Sequence, residues 1–101
     1  MEKSITQCDV LVIEDEQTLS ELVRINLISR NISTIVAETG LEGISLALRR
    51  HPRVILLDIV LPDIDGWQIC RFFKNNNLLK SPAIVFMTAS TQKKDKEDAS
   101  G

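Results

Sequence analysis

The sequence predicts an α/β protein with a doubly wound parallel sheet, on three observations. Short apolar runs alternate with stretches of helical periodicity, the order expected of strands joined by crossover helices. Val54-Ile55-Leu56-Leu57 is apolar at every position, as in a strand buried on both faces. Three runs stop abruptly at polar residues: Val10-Leu11-Val12-Ile13 at Glu14-Asp15-Glu16, Val54 onward at Asp58, and Ala83-Ile84-Val85-Phe86-Met87 at Thr88-Ala89.

The elements follow in order. After the first run, Leu19, Leu22, Val23 and Leu27 mark one face of a helix over 17–29. Thr18 and Glu21 stand at capping-box spacing near its start. Asp15 is a second candidate cap for the same helix. A short strand is expected over 32–37. Thr39-Gly40-Leu41-Glu42 is another capping-box pattern and opens a helix to Arg50, with Leu41, Ile44 and Leu48 on one face. Pro52 ends it, because the residue before a proline resists helical dihedrals. Past Asp58, Leu61-Pro62-Asp63-Ile64-Asp65-Gly66 is a loop by its proline and glycine. Asp65, with Gln68 three residues on, caps a third helix that buries Ile69, Phe72 and Phe73. The helix ends at Asn75-Asn76-Asn77. From Ser90 to Gly101 the only apolar residue is Ala99, so 90–101 is expected to be a weakly ordered tail or partial helix.

In an open parallel sheet, ligands bind beyond the carboxyl ends of the strands. Neighbouring strands lie about 4.8 Å apart, so Asp15, Asp58 and the Thr88 hydroxyl are expected to share one pocket. Two unit charges at about 5 Å repel by roughly 3 kcal/mol at an effective dielectric of about 20. Such a cluster raises a pKa or recruits a cation. Oxygen donors without nearby His or Cys favour a hard ion, magnesium over zinc.

With these residues in place, the chain resembles the receiver domains of two-component response regulators. The match is carried by Glu14-Asp15 after the first strand, Asp58 after the third, the segment from Leu61 to Gly66, and Thr88-Ala89 after the fourth. It runs over residues 10–99. The resemblance implies a flavodoxin-like sheet with strand order 2-1-3-4-5. It implies that Asp58 accepts a phosphoryl group from a phosphohistidine on a sensor histidine kinase or a histidine phosphotransfer protein. Mg2+ would be held by Asp15, Asp58 and the backbone carbonyl of Val60, with Glu14 in an outer, water-mediated role. Thr88 and Ala89 would contact the phosphoryl group and act as the switch. The family also carries a catalytic Lys, usually followed by Pro, at the end of a fifth strand. Lys93, Lys94 and Lys96 neither follow a strand nor precede a Pro, so no such Lys is assigned. The expectation is a single receiver-like domain over 1–101, truncated before its fifth strand, with sheet order 2-1-3-4. The 83–87 strand then forms an apolar edge open to pairing with a second copy.

Composition bounds the alternatives. A chain of 101 residues with 44% hydrophobic and 26% charged content supports one domain with a real core. A net charge of -2 gives no electrostatic case for direct nucleic-acid binding. No apolar run is long enough for a membrane span, and Met1-Glu2-Lys3-Ser4 lacks the apolar core of a secretory signal. Cys8 and Cys70, without metal spacing, read as reduced thiols of a cytoplasmic protein. His51 and Trp67 read as a surface residue and a packing or partner contact. The second reading of function is a receiver-like interaction module that binds partners without phosphorylation. An Asp-nucleophile phosphatase fits poorly, because neither Asp15 nor Asp58 has Asp two residues on. Flavin binding rests on analogy of fold alone.

Overall fold

A computed structural model describes residues 8–75 and 82–87. The expectations for Thr88, Ala89, the three lysines and the 90–101 tail lie outside the described residues. Four strands, β1 (Val10–Ile13), β2 (Thr34–Ala37), β3 (Val54–Leu57) and β4 (Ala83–Phe86), alternate with helices α1 (Gln17–Ile28), α2 (Gly40–Arg50) and α3 (Gly66–Asn75). All pairings are parallel, as the apolar runs predict, and the sheet order is β2-β1-β3-β4, as the resemblance implies.

The register aligns the carboxyl ends. Ile13 pairs with Ala37 and with Leu57, and Leu57 pairs with Phe86. The ladder continues one step past each strand: Glu14 N donates to Ala37 O, Asp58 N to Ile13 O and Met87 N to Leu57 O, each at 3.0 Å. Glu14, Asp58 and Met87 therefore emerge side by side from one sheet edge.

The core lies between the sheet and helices α2 and α3. It is built from Leu11, Ile13, Ile55, Leu57, Ile69 and Phe73, all nearly fully buried. On α2 the residues facing the sheet are small. Gly43 and Ala47 are buried; of the expected Leu41–Ile44–Leu48 face, Ile44 and Leu48 pack against the core half-buried, whereas Leu41 is 65% exposed. A Cβ at Gly43 would stand 2.5 Å from Ile13 Cδ1, so only glycine allows this approach. Small residues draw the helix close, and the larger ones are left to flank the contact or face solvent. On α1, Leu22 is likewise 58% exposed while Ser20 is buried.

The expected caps divide. Thr39 Oγ1 accepts from Glu42 N at 3.2 Å, and Glu42 reaches back to Glu38 N at 3.0 Å. Asp65 Oδ1 accepts from Trp67 N at 2.8 Å and Gln68 Oε1 from Asp65 N at 3.4 Å, so α3 has the predicted reciprocal cap. The Thr18–Glu21 box does not form. Helix α1 begins at Gln17, which puts Thr18 inside it, and Glu21 instead pairs with Arg24, whose Nε lies 3.1 Å away. Asp15 is not the cap either: Glu16 holds the cap position, without a side-chain bond. Helix α2 ends at Arg50, with His51 exposed and left-handed at φ 47°.

Strand β3 is buried more unevenly than expected. Ile55 and Leu57 are sealed, whereas Val54 and Leu56, on the other face, are half-buried. On β4, the outermost strand among the described residues, Val85 is 50% exposed. Cys8 and Cys70 are buried free thiols. Among the described residues no helix is long and apolar enough to cross a membrane.

Candidate functional site

The shared register brings three carboxylates together. One oxygen each from Glu14, Asp15 and Asp58 lies within 4.8 Å of the other two. Glu14 and Asp58 are fully buried, and Asp15 is exposed at the mouth. At an effective dielectric of about 20, each pair at that spacing would repel by roughly 3.5 kcal/mol if charged. The trio is therefore arranged for a positive guest.

Each member is aimed by its backbone. Asp58 leaves the end of β3, and its Oδ1 accepts from Val60 N at 3.1 Å. Glu14 Oε2 accepts from Glu16 N at 2.9 Å, which folds the turn after β1 and presents Asp15. The donor set is all oxygen, as hard dications prefer. Three carboxylate oxygens this close together, with no softer donor among them, fit a hard dication such as magnesium.

The loop after Asp58 is fastened at several points. Asp63 Oδ1 accepts from Gly40 N at 2.8 Å, and its Oδ2 accepts from Leu41 N at 2.9 Å. This places a carboxylate on the first turn of α2, where the helix dipole favours it. Burial acts to raise the Asp63 pKa, but the N–H groups of Leu41, Gly40, Asp63 itself and Ile64 outweigh it and hold the pKa below the ordinary value. Sequence reasoning placed Asp63 only in a loop. The signal was missing because its partners lie 22 and 23 residues upstream. Gly66 is the other anchor. Its N donates to Ile59 O at 2.9 Å, and a Cβ there would meet Ile59 Cα at 2.7 Å and Asp58 O at 2.8 Å.

Trp67, half-exposed, packs its ring on Phe86 with centroids 4.7 Å apart. A groove of about 770 Å³ between the start of α1 and the β2–α2 side is lined by Gln17, Ser20, Arg24, Glu38 and Glu42 among others, but by none of the acidic trio. Concavity alone would select that groove; the convergence of charge selects the strand ends.

Comparison with known proteins agrees with the geometry. The family profile described as the response regulator receiver domain matches residues 10–100. The chain belongs to this family. Receiver domains of this family serve in two-component signalling. The chain is similar to the polar-differentiation response regulator DivK of Brucella ovis, at 32% identity over 88 residues, covering 87% of this chain and 72% of DivK. It is also 32% identical over 87 residues to the DNA-binding dual master transcriptional regulator RpaA of Synechocystis sp., covering 86% of this chain but only 36% of RpaA. In fold it resembles the N-terminal domain of a response regulator receiver protein from Methanoculleus marisnigri, with a TM-score of 0.76 at 23% identity, covering 92% of this chain and 77% of that one.

Proposed function

We infer that this receiver domain accepts a phosphoryl group on Asp58 in a Mg2+-dependent reaction. The observation carrying this reading is the buried Asp58 carboxylate at the end of a central strand, within 4.8 Å of the Glu14 and Asp15 oxygens. A carboxylate oxygen of Asp58 attacks phosphorus, and the bond from phosphorus to the donor's imidazole nitrogen breaks with its electron pair leaving on that nitrogen. The product is an acyl phosphate on Asp58. Bound magnesium supplies positive charge that offsets repulsion between the acidic site and the incoming phosphoryl group.

The chain's own residues do the rest. Asp15, Asp58 and the Val60 carbonyl would hold the ion, with Glu14 in the outer role and holding the β1–α1 turn. The Val60 N–H orients the Asp58 carboxylate. By the family pattern Thr88 and Ala89 would contact the phosphoryl group. The donor is a sensor histidine kinase or a histidine phosphotransfer protein, and the domain is a cytoplasmic signalling module rather than a turnover enzyme.

Incubation with acetyl phosphate and Mg2+, read by intact mass, tests this. Wild type should gain one phosphoryl group, Asp58→Asn none, and Asp15→Asn should need far more Mg2+. Absence of label on folded wild-type protein would favour the phosphorylation-independent interaction module. We also propose self-association through the outer edge of β4, supported by its place as the outermost strand among the described residues. Sedimentation across a concentration series should show mass rising with concentration; a monomer throughout would refute it.

A further inference from the structure

The acidic site is closed into a circuit of contacts, and one joint in it is soft. Along the chain, Leu57 leads to Asp58 and Ile59, and Gly66 rests directly on that backbone, 2.7 Å from Ile59 Cα by the Cβ it lacks. Trp67 follows Gly66, its N–H held by Asp65 Oδ1 at 2.8 Å. Across the sheet, Leu57 pairs with Phe86, and its carbonyl accepts from Met87 N at 3.0 Å. The Trp67 and Phe86 rings then meet, centroids 4.7 Å apart and planes 49° apart. Departing from Leu57 by chain or by ladder, both routes arrive at the same two rings.

The links differ in stiffness. Covalent bonds, strand pairing and the backbone contact at Gly66 tolerate little displacement. The ring contact is made by side chains alone, and Trp67 is 49% exposed, so its indole can turn outward without opening the core. Phe73, on the same helix, is 1% exposed and has no such freedom. Drawing the three carboxylates onto one cation moves the Asp58–Val60 backbone. Gly66 passes that movement to the start of α3, and the circuit gives way where it is softest.

We propose that the Trp67–Phe86 stack is the yielding joint of the acidic site: it loosens when a hard divalent cation fills the site, and so both reports occupancy and resists it. Trp67 is thus a positioning residue, acting through Gly66 on Asp58. This rests on reading the trio as a cation site, and the test separates the two claims.

Trp67 is the sole tryptophan, so its emission is unambiguous. Mg2+ is titrated into wild type and Phe86→Leu, followed by tryptophan emission and independently by calorimetry. In wild type the emission change should saturate with the same midpoint as the heat. Phe86→Leu should lose most of that change and bind Mg2+ about two- to tenfold more tightly, as expected if a ring contact of ~0.5–1.5 kcal/mol no longer opposes binding. Phe86→Tyr, which keeps a ring, should restore wild-type affinity. If Phe86→Leu fails to fold, Trp67→Leu at the half-exposed position gives the same calorimetric readout. Heat without an emission change in wild type, or unchanged affinity in the leucine variants, would overturn the joint while leaving the cation site standing. No heat in wild type would overturn the site and the joint together.

Discussion

The turn after β1 and the loop after β3 each deliver a carboxylate to the site, but they are built in opposite ways. The β1–α1 turn is short, carries the Glu14–Glu16 contact, and leads into a helix with no side-chain cap. The β3–α3 loop is pinned by Val60 on Asp58, by Asp63 on α2 and by Gly66 on Ile59. The first presents an exposed Asp15, and the second fixes a buried Asp58. Asp58, the proposed acceptor, is thus held by a loop pinned at several points, while Asp15 at the mouth sits on a short turn ahead of an uncapped helix. On the proposed function, a site that admits a bulky donor at one side and places its nucleophile accurately at the other has reason for this division.

The sharpest way to break the contrast is Gly66→Ala. A Cβ 2.7–2.8 Å from the Ile59 and Asp58 backbone has no flexible side chain to push aside. Thermal or urea unfolding should show a loss of about 1–3 kcal/mol, with weakened Mg2+ binding by calorimetry. Asp63→Ala comes next. It leaves two N–H groups of α2 without their carboxylate and should cost about 1 kcal/mol of unfolding free energy.

Acid offers a gentler route to the same contact. The Asp63 pKa is lowered in the fold, so its contribution is fully present above the unfolded aspartate value of about 3.9. It disappears as pH falls from there through the lower folded value. Asp63→Ala should therefore have a shallower loss of stability below about pH 4 than wild type, measured by urea midpoints. The smallest effect has the opposite sign. Glu16→Ser places a competent cap on α1 and should stabilise by ~0.5–1 kcal/mol in the same assay, showing that the α1 cap position is not optimal.

Much of this was legible because it depends on local order. Three apolar runs and a short mixed segment, each followed by its own punctuation, were enough for the strands in chain order, and the sheet order that brings Asp15 and Asp58 together followed from the family resemblance. Thr39 and Asp65 cap as their spacing implies, since both partners lie within one turn. Periodicity failed where a small residue made the contact. It assigned Leu22 and Leu41 inward because they are large, whereas Ser20, Gly43 and Ala47 face the sheet. Thr18 and Glu21 have the right spacing one residue too deep in the helix, and spacing cannot say where a helix begins. The Asp63 clamp and the Trp67–Phe86 stack join residues 19 to 23 positions apart, which only the folded chain brings into contact.

The two thiols carry a practical corollary. Cys8 is 2% exposed and Cys70 9%, and burial, outweighing the lowering by the Arg50 charge and added to by Asp9, pushes the Cys8 thiol up. A sealed sulfur reacts with an alkylating probe only when the surrounding structure opens. The rate at which each is capped in native buffer is then a clock for breathing: Cys8 times the fraying of β1, and Cys70 the detachment of α3 from the sheet.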